Sequence, residues 1–148
     1  MEDLYHPRIM ELAADIPNVG RLDAPDGAAT KVSRVCGSVV TVELSLKDGV
    51  VSAIAVHPKA CALGQAATGV LAMHAIGAMP AEIRAARDGL SAMLREGAAP
   101  PTGRFWELRH LEGVREYPPR HASTMLAFDA AVAALDAAET AARQRASN

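Results

Sequence analysis

The sequence has few aromatic residues, since Phe, Trp and Tyr together make up 3% of its 148 residues. Half of the residues are nevertheless apolar, and alanine is frequent among them. A core built from this composition must be filled by Ala, Val, Leu, Ile and Met, which favours closely packed helices. The length is that of one domain, and we expect residues 1–148 to form a single one.

A basic stripe, a long apolar run and a secretion signal are also missing. The net charge is -2 and the arginines are scattered, so nucleic acid binding is not predicted. The longest apolar run, Ala66–Ile76, contains polar residues and is shorter than the roughly 20 residues that cross a bilayer. Met1–His6 has neither the basic flank nor the apolar stretch of a leader. We expect a soluble, cytoplasmic protein with no membrane contact.

Cysteine is scarce too, with only Cys36 and Cys61 in the chain. Two cysteines do not make a disulfide framework, and in a reducing cytoplasm we expect both thiols to be free. The sequence has no glycine-rich phosphate loop, zinc-protease motif, nucleophile elbow or CxxC pair. It therefore gives no support to nucleotide use or hydrolysis, and an enzyme acting alone on a small substrate is the least supported reading.

The first half of the chain carries the pattern of strands. In Lys31–Lys47 apolar and polar residues alternate, which predicts a half-buried strand preceded by an earlier one that ends near Cys36. Asp48-Gly49 predicts a tight turn, and Val50–Val56 is rich in β-branched residues. The turn formers before Thr30 predict a loop. We expect an antiparallel sheet of about three strands.

The remaining segments have helical spacing. We expect helices over Leu4–Ala14, Cys61–Ile76 and Pro80–Gly97, a short helical segment from Phe105 to Val114, and a long helix after Pro118-Pro119 whose end beyond Ala138 is frayed or exposed. Strands followed by helices predict an α+β domain, in which helices pack on one face of a small three-stranded antiparallel sheet.

The two cysteines lie at the ends of strands. If the two strands form a hairpin, the end of the second returns to the start of the first, so the thiols of Cys36 and Cys61 can share a site. Cys61 also falls at a helix N-terminus, where the helix dipole lowers a thiol pKa and favours a nucleophile or a metal ligand. The alternative for each cysteine is a small buried apolar residue.

Two sulfur ligands do not complete a tetrahedral metal site, which needs about four. His57, His121 and Ser123 are the candidates to supplement them. His121 and Ser123 lie near the start of the last helix, and His121 has the better position if that helix begins against the two strand ends.

Several short motifs carry a resemblance to a known family. They are Pro17-Asn18-Val19-Gly20, Cys36-Gly37-Ser38, Ala60-Cys61-Ala62, Gly77-Ala78 and the closing segment Tyr117–Phe128. In this order and spacing they resemble the iron-sulfur cluster assembly scaffold family, the NifU N-terminal domain and IscU-like proteins, and most closely its SufU branch. The likeness extends from about Tyr5 to Leu135.

The resemblance implies a SufE/NifU-like fold and a ligand site. Members hold zinc or assemble a [2Fe-2S] cluster on three cysteines and an aspartate, and accept sulfur from a cysteine desulfurase. Carried over residue by residue, Cys36 and Cys61 match the family pattern, whereas Ser38 replaces the aspartate and Ser123 replaces the third cysteine. The implied site is Cys36, Cys61, Ser38 and Ser123, with His121 as an added ligand, and Cys61 is the implied sulfur acceptor.

Three functions follow from the resemblance. The first is a scaffold for iron-sulfur cluster assembly, with zinc, a [2Fe-2S] cluster or no metal bound at the altered site. The second is a metal-free regulatory or structural relative that binds a cysteine desulfurase or forms a homo-oligomer. The third is a sulfurtransferase in which Cys61 accepts sulfur and Cys36 resolves it, which requires their Cα atoms to lie within about 7 Å.

Overall fold

Three antiparallel strands form the sheet of this computed structural model, which describes residues 2–147. Met1 and Asn148, the two ends of the domain expected over residues 1–148, lie outside the described residues. Met1 is also the first residue of the Met1–His6 segment considered above. The strands are β1 (Gly27–Ser33), β2 (Ser38–Lys47) and β3 (Val50–Lys59), in the order β1-β2-β3. The three-stranded antiparallel sheet predicted from the sequence is confirmed.

The β2–β3 hairpin turns where the sequence predicts. Asp48 and Gly49 both have positive φ, 54° and 81°, as a two-residue hairpin turn requires. β1, in contrast, begins at Gly27, before the predicted strand start at Lys31. Gly27 lies directly against α4 (His121–Ser147), where a Cβ would collide with the backbone of Ala134 and Ala138. This glycine therefore serves close packing, which local turn propensity does not reveal.

The helices follow the predicted bounds closely. α1 is Pro7–Ala14, α2 is Ala62–His74, α3 is Pro80–Glu96 and α4 is His121–Ser147, and 3₁₀ helices cover Glu2–Tyr5, Gly103–Glu116 and Pro118–Arg120. α3 starts with proline and ends at Gly97, whose φ of 70° is the left-handed cap that the sequence predicts. The end of α4 beyond Ala138 is largely exposed, as expected, and helical to Ser147.

The 3₁₀ helix Gly103–Glu116 buries apolar side chains at every third residue. Phe105, Leu108, Leu111 and Val114 are all 2% exposed or less. A period of three matches the three residues per turn of a 3₁₀ helix, so one stripe stays on the core side. Phe105 meets Phe128 of α4 edge to face, with 5.5 Å between ring centroids.

The helices cover one face of the sheet, as predicted. Val40, Val42 and Leu44 of β2 are fully buried, and α4 packs across β1 and β2 while α2 packs against β3. On the opposite face, Glu43 accepts a hydrogen bond from the amide of Leu22. Within residues 2–147, no helix is long and apolar enough to span a membrane. This packing directs the starts of α2 and α4 toward the same corner of the sheet.

Candidate functional site: two thiols and two hydroxyls

The hairpin brings the two cysteines to one corner of the sheet. Val39 near the start of β2 pairs with Lys59 at the end of β3. Cys36 precedes β2 by two residues and Cys61 follows β3 by two. The predicted arrangement, in which the far end of the second strand returns to the start of the first, is therefore what the register produces.

The start of α4 reaches this corner because α2 carries a glycine at the contact. A Cβ built on Gly64 would lie 3.0 Å from the carbonyl oxygen of Ser123 and 2.8 Å from the Cβ of Ala60. Any larger residue would push the two helix starts apart. With glycine there, the Oγ of Ser123 lies 3.5 Å from the Sγ of Cys61.

Cys36 is an exposed thiol in the turn between β1 and β2, surrounded by hydroxyl groups. Its Sγ lies 3.0 Å from the Oγ of Ser38 and 3.6 Å from that of Ser33. The hydrogen bond from Ser38 is the main cause that lowers the pKa of Cys36 to about 7, and Ser33 and Ser123 act in the same direction. The thiolate fraction of Cys36 at neutral pH is therefore well above that of an ordinary cysteine.

Cys61 is half-buried and is the N-cap residue of α2, the position that the sequence predicts. Burial alone would raise its pKa. The Ser123 hydroxyl, the backbone amides of Gly64 and Leu63, and the positive charge of Arg120 outweigh burial, so that the pKa of Cys61 is lowered. The pKa of each thiol is therefore lowered, which favours the nucleophilic thiolate form.

Ser123 interacts with both cysteines. Its hydroxyl is bonded to Cys61 and also contributes to lowering the pKa of Cys36. It also donates to the carbonyl of Arg120 at 3.2 Å, which accepts a second hydrogen bond from Thr124 at 2.7 Å. The single proton of Ser123 serves either that carbonyl or a thiolate, and when it turns to the thiolate the Arg120 carbonyl keeps its bond from Thr124.

The two candidate histidines lie elsewhere. The Nε2 of His121 lies 3.0 Å from the carbonyl oxygen of Val114, away from the sulfurs. Two residues along a helix are about 200° apart, so His121 and Ser123 cannot face the same site. His57 is exposed on β3 and lines a small cavity with Glu43 on the outer face of the sheet. The structure therefore joins Ser38 and Ser123 to the two thiols, but neither histidine.

Ser33 and Arg120 are site residues that sequence reasoning assigns no role. Ser33 is 3% exposed and pairs with Ser38 across the hairpin that carries Cys36. That pairing depends on β1 ending at Ser33, three residues before the end near Cys36 that the sequence pattern predicts. Arg120 stands in the closing motif Tyr117–Phe128, and this placement was the only signal for it.

The lowered pKa of Cys36 can be tested by alkylation. In a Cys61→Ser background, the rate of alkylation by iodoacetamide should rise with pH with a midpoint near 7. Ser38→Ala removes the main donor to the thiolate, so the midpoint should move up toward the ordinary value of about 8.5, and the rate at pH 7 should fall by roughly fifteenfold if that value is reached. Ser52→Ala, on exposed β3 sequence, is the control. An unchanged midpoint in Ser38→Ala would contradict this assignment.

Comparison with solved structures places the fold among NifU-type N-terminal domains. The NifU-like N-terminal protein from Brucella abortus has 47% identity to this chain and a TM-score of 0.91, with 93% of this chain and 96% of that one covered. At that identity and coverage, the chain belongs to the NifU-like N-terminal domain family, the iron-sulfur cluster assembly scaffold family that its motifs resemble.

More distant structures share the fold alone. A putative scaffold protein for the SUF system from Fervidobacterium islandicum AW-1 has 20% identity and a TM-score of 0.82, with 89% of this chain and 96% of that one covered. An uncharacterised protein has 23% identity and a TM-score of 0.80, with 92% and 99% covered. No protein-family model and no curated protein matches the chain.

Proposed function

We propose that this protein takes part in iron-sulfur cluster assembly by accepting sulfur from a cysteine desulfurase. The observation that carries this proposal is the exposed thiol of Cys36, whose pKa of about 7 supplies a nucleophile at neutral pH. Membership of the scaffold family supports the general role. The partner enzyme rests on the resemblance to SufU proteins.

Exposure of the sulfurs argues for Cys36 as the first acceptor, in place of Cys61. A desulfurase presents its persulfide from a second protein, so the attacking thiolate has to be reachable from outside. Cys36 lies in an exposed turn, whereas Cys61 is half-buried at the N-cap of α2. The order of the two cysteines is therefore the reverse of the one implied by the sequence.

The donor groups do not fit a resident zinc ion. Within residues 2–147, no cluster of three or more His, Cys, Asp or Glu side chains is arranged to hold a metal. The corner offers two thiols and two hydroxyls, and a neutral serine hydroxyl is a poor substitute for thiolate, imidazole or carboxylate. A [2Fe-2S] cluster, as cargo, would find half of its usual four cysteine ligands. We propose no step through bound metal.

Counting desulfurase turnovers tests sulfur acceptance. Without an acceptor or a reductant, a desulfurase stops once its own cysteine carries the persulfide. Anaerobic addition of this protein should allow about one further alanine per chain, because each Cys36 thiolate removes one sulfur. Cys36→Ser should give none, while Cys61→Ser should keep the full amount.

The alternative function, a metal-free relative that only binds a desulfurase or itself, predicts a different result. Such a protein would co-elute with the desulfurase or with a second copy, yet yield no extra alanine. That outcome, with the wild-type fold intact by circular dichroism, would overturn sulfur acceptance and leave the interaction role.

A further inference from the structure

The two thiols of the site lie at one corner of the sheet. Val39 of β2 pairs with Lys59 of β3, and each cysteine lies within three residues of that pair. Ser123 Oγ is 3.5 Å from Cys61 Sγ, and the same hydroxyl helps to lower the pKa of Cys36. Cys36 belongs to a turn outside the strand ladder, so its sulfur can move by a few ångströms without breaking the sheet.

The two cysteines are not equivalent. Cys36 faces solvent, while Cys61 lies at the N-cap of α2 with the amides of Leu63 and Gly64 directed at its sulfur. An incoming protein meets Cys36 first. Cys61 lies at the same corner of the sheet as Cys36 and is held there by the contact between α2 and α4.

We propose that Cys61 resolves a persulfide on Cys36, so that hydrosulfide is released and a Cys36–Cys61 disulfide remains. The proposal rests on the function above for its sulfur supply. It gives the protein a metal-independent activity: conversion of protein-bound sulfane sulfur into free sulfide, the form that a later iron-binding step consumes.

The step balances as follows. The Cys36 thiolate attacks the terminal sulfur of the desulfurase persulfide, and the desulfurase thiolate leaves. The Cys61 thiolate then attacks Cys36 Sγ; the Cys36 S–S bond breaks and its electron pair departs with HS⁻. The sulfane sulfur is reduced to sulfide, and the two thiols are oxidised to the disulfide. A small dithiol reductant is needed to begin another cycle.

The serines and Arg120 favour this step. A metal ion would occupy electron pairs of the two thiolates. Beside serine hydroxyl groups, each thiolate keeps electron pairs available for attack. The positive charge of Arg120 acts at Cys61, and the Ser123 proton can turn toward an anion between the two sulfurs. Both features favour an anionic leaving group at this place.

Sulfide release from the loaded protein tests the proposal. The reduced protein is loaded anaerobically by a desulfurase with limiting cysteine, in the absence of other thiols. The wild type should release about one sulfide per chain and show a Cys36–Cys61 disulfide by peptide mass mapping. Cys61→Ser and Cys61→Ala should retain the persulfide on Cys36, with sulfide release at least tenfold lower. A stable Cys36 persulfide in the wild type, as in the variants, would overturn the proposal.

Two further measurements separate this proposal from the function on which it rests. Loading with inorganic polysulfide needs no desulfurase, so the Cys36–Cys61 disulfide should still appear even where the desulfurase transfers nothing. Mild oxidation by diamide should also close the same intramolecular disulfide in the wild type. Failure to form it in the folded protein would sink the resolving role of Cys61, whatever the desulfurase does.

Discussion

Tight zinc binding is the expected result of restoring the two family ligands in this chain. The double variant Ser38→Asp/Ser123→Cys should bind about one zinc per chain, at least 100-fold more tightly than the wild type. The positions are suitable, because Ser123 Oγ lies 3.5 Å from Cys61 Sγ and Ser38 Oγ lies 3.0 Å from Cys36 Sγ. Two ligand atoms that each lie about 2.0–2.3 Å from a tetrahedral zinc are separated from each other by distances close to these 3.0 and 3.5 Å separations.

Competition with a chromophoric zinc chelator measures this change. Ser123→Cys alone supplies a third thiol and should fall between the wild type and the double variant. Adding Cys61→Ser to the double variant should abolish the gain, since one ligand is lost again. Equal affinity of the wild type and the double variant would show that the donor set is not what limits metal binding.

A large loss of stability is expected from neutralising Glu107. Its carboxylate, 6% exposed, accepts hydrogen bonds from Arg8 at 2.7 and 3.0 Å and lies 3.0 Å from His74 Nε2. These contacts tie α1 and α2 to the 3₁₀ helix Gly103–Glu116. Glu107→Gln leaves the Arg8 guanidinium without its counter-charge, and should cost about 2–3 kcal/mol of unfolding free energy at pH 7.

The pH dependence has a defined sign. The hydrogen bonds from Arg8 are the main cause that lowers the pKa of Glu107 to about 2 in the folded protein, against 4.5 ordinarily. The carboxylate therefore stabilises the fold above about pH 4.5, and this contribution is lost as the pH falls toward 2. Urea titrations should show the gap between wild type and Glu107→Gln closing over that range.

Glu112→Gln is the matched control for this prediction. Glu112 lies on the same 3₁₀ helix and pairs with Arg115 at 3.1 Å, but its side chain is 48% exposed. An exposed pair contributes less than about 1 kcal/mol, so this variant should unfold close to the wild type. A similar loss in both variants would mean that burial of the Glu107 pair is not what stabilises the fold.

Much of the fold could be predicted because the local sequence signals for strands, turns and helix ends are clear. Alternation marks β2, the Asp48-Gly49 pair sets the hairpin turn, and Gly97 ends α3. The hairpin then dictates that Cys36 and Cys61 meet at one corner, so the thiol pair followed from topology before any coordinates.

Prediction from the sequence fails where the role of a residue depends on a contact with a residue far away in the chain. Gly27 resembles a turn residue, but it opens β1 because α4 leaves no room for a side chain. The sequence offers both His121 and Ser123 as supplementary ligands and favours His121, yet the rotation of α4 places Ser123 beside Cys61 and turns His121 toward Val114.

The sequence by itself determined the β2–β3 hairpin, the helices and the position of each thiol at a strand end, because hydrophobic periodicity and turn residues act between near neighbours in the chain. Only the tertiary structure decided which groups surround the thiols, how exposed each sulfur is and in which order they can react. Those properties depend on how α2 and α4 meet at Gly64 and Ser123, a contact between residues 59 positions apart whose geometry no local pattern encodes.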